Sequence, residues 1–159
     1  HTLTNAGKKT VPCSAWALSV MAKNGTAVIP LPRLIPHDKR CTPNQNWSLW
    51  SYTDLKDPRL KIGSRCILVR QDPRRGPLKM GMAQREGWAA YLRRGVLFIK
   101  YFERKAGAVY PDNDVNFEVY ADENILELES LGPLVSLKPG RSVQHVERWL
   151  LMKVGRKPA

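Results

Sequence analysis

The chain has 159 residues, 43% of them hydrophobic and 25% charged, with a formal net charge of +12. That length can bury one sizeable core, and the composition is too apolar for a disordered segment. No apolar run approaches the roughly 18–20 residues of a membrane-crossing helix. The charge is lopsided: residues 1–105 carry 20 Lys and Arg against 6 Asp and Glu, and residues 106–159 carry 6 against 8. Such a field draws acidic partners over long range but does not specify a fold.

Strand signals dominate in chain order. Residues 2–4 read as a short strand. Residues 14–21 alternate through Trp16, Leu18 and Val20. Asn24-Gly25 is a tight-turn pair, so residues 26–29 are expected to return as the second strand of a hairpin. Residues 30–43 hold four prolines and no clean period, which predicts a long irregular loop around His37. Strands follow at 47–52, 66–70, 79–84 and 88–92. Arg93-Arg94-Gly95 then turns the chain into 96–102. Residues 116–120, 125–129, 134–137 and 142–151 complete the series, and only 54–60 suggests a helical turn. About eleven short strands with 12 Pro and 11 Gly predict an all-β protein, an antiparallel β-sandwich. One domain over residues 1–152 is expected, with a frayed tail over 153–159.

Cys13, Cys41 and Cys66 are an odd number without CxxC spacing, which predicts free thiols. No His/Cys/Asp/Glu cluster has metal-ligand spacing, and no Gly-rich phosphate loop or Ser nucleophile elbow is present. Neither a metal nor a cofactor is expected.

The candidate chemistry lies in carboxylates on strands. Residues two apart on a strand share a face. Glu127 and Glu129 therefore point together, while Leu126 and Leu128 point the other way into a core. Asn116, Glu118 and Tyr120 form a second polar face whose amide, carboxylate and phenol suit sugar hydroxyls. Trp50 and Tyr52 share a strand face and could offer an aromatic platform. Each of these also reads as an ordinary solvent-facing or core position. His37 is a loop histidine among charges, and His145 shares a face with Glu147.

Two segments carry a resemblance. His1-Thr2-Leu3-Thr4-Asn5 and Leu126-Glu127-Leu128-Glu129-Ser130-Leu131-Gly132-Pro133-Leu134, the latter followed by Pro139-Gly140, are similar to segments of the galactose mutarotase-like superfamily, the fold of the aldose 1-epimerases. Further likeness runs through Trp16-Ala17-Leu18, Asp57-Pro58-Arg59 and Leu78-Lys79-Met80-Gly81, and points to an uncharacterised branch. The resemblance implies a carbohydrate-binding protein, an isomerase if it is catalytic. Glu129 would be the base (Glu127 if the register slips) and His1 the acid. Trp50, Asp57, Arg59, Lys79, Glu118 and Glu127 would be substrate-binding groups. The family also uses an arginine and a second histidine upstream of the first motif. The resemblance therefore implies a sandwich lacking its N-terminal part, which a second copy of the chain could complete.

The basic first two-thirds suggests an anionic sugar. Two alternatives stand beside this reading: a basic nucleic-acid-binding module, disfavoured because no such motif appears, and a non-catalytic sandwich domain of a larger glycan-active enzyme. No membrane partner is expected. The compartment stays open between the cytoplasm and export from a bacterial cell.

Overall fold

The computed structural model describes residues 1–155, and nearly all of the regular structure is strand. The strands are β1 (Thr2–Thr4), β2 (Val11–Cys13), β3 (Trp16–Met21), β4 (Thr26–Pro30), β5 (Trp47–Leu49), β6 (Leu60–Ile62), β7 (Cys66–Arg70) and β8 (Leu78–Met82). They continue with β9 (Trp88–Arg93), β10 (Val96–Phe102), β11 (Phe117–Ala121), β12 (Leu126–Leu131), β13 (Val135–Leu137), β14 (Ser142–Gln144) and β15 (Glu147–Lys153). All pairings are antiparallel.

Two sheets make the body of the molecule, one six-stranded in the order β15-β10-β9-β4-β7-β6 and one five-stranded in the order β3-β12-β11-β8-β5. One core joins their facing sides. Ile29, Ile67, Val69, Tyr91 and Phe102 come from the first sheet, and Met80, Phe117, Val119, Leu126 and Leu128 from the second. Phe102 stacks on Phe117 across the gap at 5.3 Å. The protein is thus an all-β antiparallel sandwich. Two small ribbons, β1-β14 and β13-β2, flank it.

Most strand expectations match these elements; the expected strand over 47–52 ends at Leu49, and three further differences bear on pairing and count. First, Asn24-Gly25 does not close a hairpin, because β3 pairs with β12 while β4 pairs with β7 and β9. The turn instead carries the chain from one sheet to the other. Asn24 adopts φ 66°, and a Cβ on Gly25 would lie 2.3 Å from the Tyr91 ring, so the glycine is needed for close packing. Second, the run 142–151 is two strands, broken at His145 and Val146. Third, β2 and β6 escape detection because three-residue strands are too short to show alternation. Arg94 (φ 49°) and Gly95 (φ 74°) do form the expected β9–β10 turn.

Helical structure among the described residues is confined to Pro111–Asp114, a left-handed turn with φ of 52°, 65° and 67° at Asp112, Asn113 and Asp114. Residues 54–60 form turns. Cys13, Cys41 and Cys66 are unbridged. Of the tail, Lys153 ends β15 and the Val154 N–H donates to the Gly95 carbonyl at 2.8 Å; residues 156–159 lie outside the described residues.

Candidate functional site

The side of the five-stranded sheet that faces away from the core is unusually polar. Alternation fixes which residues reach it. Phe117, Val119 and Ala121 of β11 are buried core residues, so Glu118 and Tyr120 take the other face. On β12, Leu126 and Leu128 face the core, and Glu127 and Glu129 do not. Register then sets neighbours: Glu118 stands opposite Glu129, Tyr120 opposite Lys79, and Leu18 opposite Glu129.

The result is a compact charged cluster. The Lys79 ammonium lies 2.7 Å from Glu118 Oε2 and donates to Glu129 Oε2 at 3.0 Å. Its Nζ is 4.9 Å from the Trp16 ring centre and 4.8 Å from that of Trp50, a cation held between two aromatic faces. The Trp16 indole N–H donates to Glu129 Oε2 at 2.8 Å. Glu118 and Glu129 are fully buried, yet Oε1 of each has no hydrogen-bond partner. An unsatisfied carboxylate oxygen in a buried site costs free energy, roughly 1–3 kcal/mol or more for a charged group. A site that leaves two of them open is suited to receiving donors from something else.

The electrostatics follow from this crowding. Burial raises the Glu118 pKa to about 7 against the pull of Lys79, with the Asp112 and Glu129 carboxylates adding to the rise. Burial pushes the Lys79 ammonium toward neutrality, but its contacts with Glu118 and Glu129 prevail and its pKa is raised. Burial and then Glu129 raise Glu127. Tyr52 is raised by burial, with Lys79 opposing and the two glutamates reinforcing.

Neighbouring backbone holds the cluster in place. The Thr53 hydroxyl donates to the Lys79 carbonyl and accepts from the Lys79 N–H at 3.3 Å. This pins the turn over residues 50–53, where Trp50 and Tyr52 lie just beyond β5 rather than on a strand. Gly81 faces Glu118 across β8 and β11; a Cβ there would sit 3.0 Å from Val115 Cγ2 and 3.3 Å from Glu118 Cγ.

The sequence-derived candidates divide into three groups. Glu129, Glu118, Lys79 and Trp50 come together, with Glu127 on the same face beside them. Asp57 and Arg59 do not join them. Arg59 is only 2% exposed and forms a forked pair with Asp57, Nη2 to Oδ2 at 2.9 Å, at the β6 edge of the other sheet. That pairing holds the Asp57 pKa down in spite of burial. His1 does not join them either. Its Nε2 lies 3.3 Å from Glu147 Oε2, and its ring stacks on His145 at 6.2 Å. Glu147 in turn binds the Ser130 hydroxyl. Ser130 stands opposite the core residue Phe117 and so points into the sandwich, whereas Glu129 points out of it. His1 and Glu129 therefore lie on opposite sides of β12. His37 is exposed in its loop.

Sequence reasoning gave Trp16 no special role. The alternation there was misleading, because large apolar residues usually face a core, yet Trp16, Leu18 and Val20 are 53%, 45% and 57% exposed while Ala17 and Ser19 between them are buried. The large residues of β3 thus share the face of the carboxylates. Also missed was a polar network inside the sandwich. Lys100 is fully buried, and its ammonium donates to the carbonyls of Ala17 (2.9 Å) and Leu128 (2.9 Å) and to Ser19 Oγ (3.0 Å), with Glu147 Oε1 at 2.6 Å. Its signal was a lysine at a core-facing position of the alternating run Phe98, Lys100, Phe102.

No protein-family model matches the chain, and neither a curated protein nor a solved structure matches it. The fold and site define an antiparallel sandwich that carries a lysine-bridged carboxylate pair on one sheet face.

Proposed function

We propose that the protein binds a carbohydrate on the outer face of the five-stranded sheet, as a mutarotase-like protein. The observation that carries the reading is the pair of buried glutamates, Glu118 and Glu129, each with an open carboxylate oxygen, joined by Lys79 beneath Trp16 and Trp50. Carboxylates accept from sugar hydroxyls, and indole faces pack against sugar C–H faces. The half-exposed Trp16 and Tyr52 rim the cluster, and access to the carboxylates requires Lys79 and the indole rings to part.

Mutarotation takes a proton from the anomeric hydroxyl and delivers one to the ring oxygen as the C1–O5 bond breaks; the aldehyde then rotates and recloses. It needs a base and an acid. In this reading Glu129 is the base. Glu118, with a pKa of about 7, is the acid in place of His1, which lies across the sheet. A carboxyl raised to about 7 can hold the proton that an acid must deliver near neutral pH. The net charge of +12 favours an anionic sugar such as a uronate.

The test is a screen of hexoses and hexuronates with polarimetric measurement of anomer interconversion. Catalysed interconversion that Glu129→Gln abolishes supports the full reading. Binding without interconversion supports a non-catalytic sandwich domain. Affinity for DNA or RNA that falls steeply with salt, with no sugar bound, would replace it by the nucleic-acid alternative.

A further inference from the structure

A separate site lies at one end of the sandwich. The β8–β9 connection, the end of β10 and the β14–β15 bend line a half-open cavity of about 820 Å³ that shares no residue with the carboxylate cluster. Its volume is in the range of small-molecule sites, about 300–1,000 Å³, and far exceeds a single inorganic ion.

The lining is charged in a specific way. Arg85, Lys105 and Arg148 all border the cavity, and none of the three has an ion-pair partner among the described residues. Arg104, the fourth cation of the lining, is different: it is bound to Asp114 at 2.5 Å and lies over the Tyr110 ring at 4.5 Å. It is a wall rather than a ligand. Deeper in, His145 is only 6% exposed, and its Nε2 is committed to Ser130 Oγ at 2.6 Å. Its Nδ1 has no partner among the described residues. Glu86 and Glu103 also line the cavity, so the charge is mixed and a simple polyanion fits poorly. Three free cations from separate segments suit a compact dianion, while two carboxylates and a buried imidazole suit hydroxyl groups.

We propose that this cavity binds a small, hydroxyl-bearing phosphate monoester. Arg85, Lys105 and Arg148 hold the phosphate, Glu86, Glu103 and His145 meet hydroxyls, and the half-exposed Tyr101 lies against the organic body. The proposal is independent of the carbohydrate reading of the Lys79 cluster.

Glycerol 3-phosphate, a hydroxyl-bearing phosphate monoester without a sugar ring, is the probe, titrated calorimetrically into the whole protein at moderate ionic strength. The expected result is saturable one-to-one binding. Arg148→Gln, Lys105→Gln and Arg85→Gln should each weaken it about tenfold, the loss of one charge-assisted hydrogen bond. Lys61→Gln, on β6 at the opposite edge of the six-stranded sheet from β15, should leave it unchanged. Glu129→Gln should also leave it unchanged, which separates this site from the carboxylate cluster. Because the three cations are exposed, their substitution should preserve the fold, and an unchanged thermal midpoint checks this. Absence of saturable binding, or binding indifferent to the three substitutions made together, overturns the proposal. Binding that Glu129→Gln abolishes overturns it too, by moving the ester to the other site.

Discussion

Two lysines on opposite sides of strand β12 show how burial separates a structural charge from a chemical one. Lys100 points into the sandwich, donates to three oxygens, and has a carboxylate as fourth neighbour. Burial lowers its pKa despite Glu147. Lys79 points outward, holds two carboxylates at once, and spends its remaining contacts on indole faces; its pKa is raised. The inner network satisfies its ammonium and leaves little for a ligand to do. The outer cluster leaves two carboxylate oxygens open. The same strand supplies a partner to each, the Leu128 carbonyl to Lys100 and the Glu129 side chain to Lys79.

The sharpest way to break this contrast is to remove the inner charge. Lys100→Met should destabilise the protein by about 3–5 kcal/mol, because Glu147 is left buried without its cation. A urea unfolding curve reads this directly. A loss under about 1 kcal/mol would mean that the inner network is not structural.

On the outer side, Lys79→Met should cost less, about 1–3 kcal/mol, since Glu118, already raised to about 7, can take up a proton when its cation is lost. It should also drive the Glu118 pKa above 7, because Lys79 is the group that holds it down. Infrared titration of the carboxyl band distinguishes this from a simple loss of packing.

The pH dependence sharpens the comparison further. The folded-state pKa of Glu118, about 7, exceeds its value of 4.5 in the unfolded chain. Between these values the folded protein holds a proton that the unfolded chain has released. The contribution of Glu118 to stability is therefore fully present below pH 4.5, declines as the pH rises toward 7, and is constant above. Glu118→Gln should flatten that part of the stability profile measured by thermal unfolding. An unchanged slope would place the titration elsewhere.

The smallest expected effect is at His1. Its side chain is half-exposed beside Glu147, so His1→Ala should change stability by less than about 1 kcal/mol and leave any sugar response intact. A large loss of sugar binding in this variant would restore the pairing of His1 with Glu129 that the resemblance implies.

Local patterning carried much of this in the sequence. Alternation at Leu126–Glu129 located both the core leucines and the carboxylates, and Glu118 emerged on a polar face for the same reason. Pairing was not legible. Nothing in Asn24-Gly25 says that the turn joins two sheets rather than two neighbouring strands, because the deciding contacts come from Gln71 and Tyr91, far along the chain. Nor could spacing alone show that Lys79 would bridge Glu118 and Glu129, which depends on β8 and β12 flanking β11 in one register. Burial was misleading in the other direction: two glutamates on one strand face usually mean solvent, yet Glu129 is fully buried beneath Trp16 and Lys79.

The central claim is that the Lys79–Glu118–Glu129 cluster receives a sugar. Tryptophan fluorescence tests it most directly, because Trp16 and Trp50 flank the lysine. Titration with hexoses and hexuronates should give a saturable change in the native protein, kept by His1→Ala and weakened at least tenfold by Glu129→Gln and Lys79→Met. A flat response to every sugar, or a response that survives both of the latter substitutions, would contradict it.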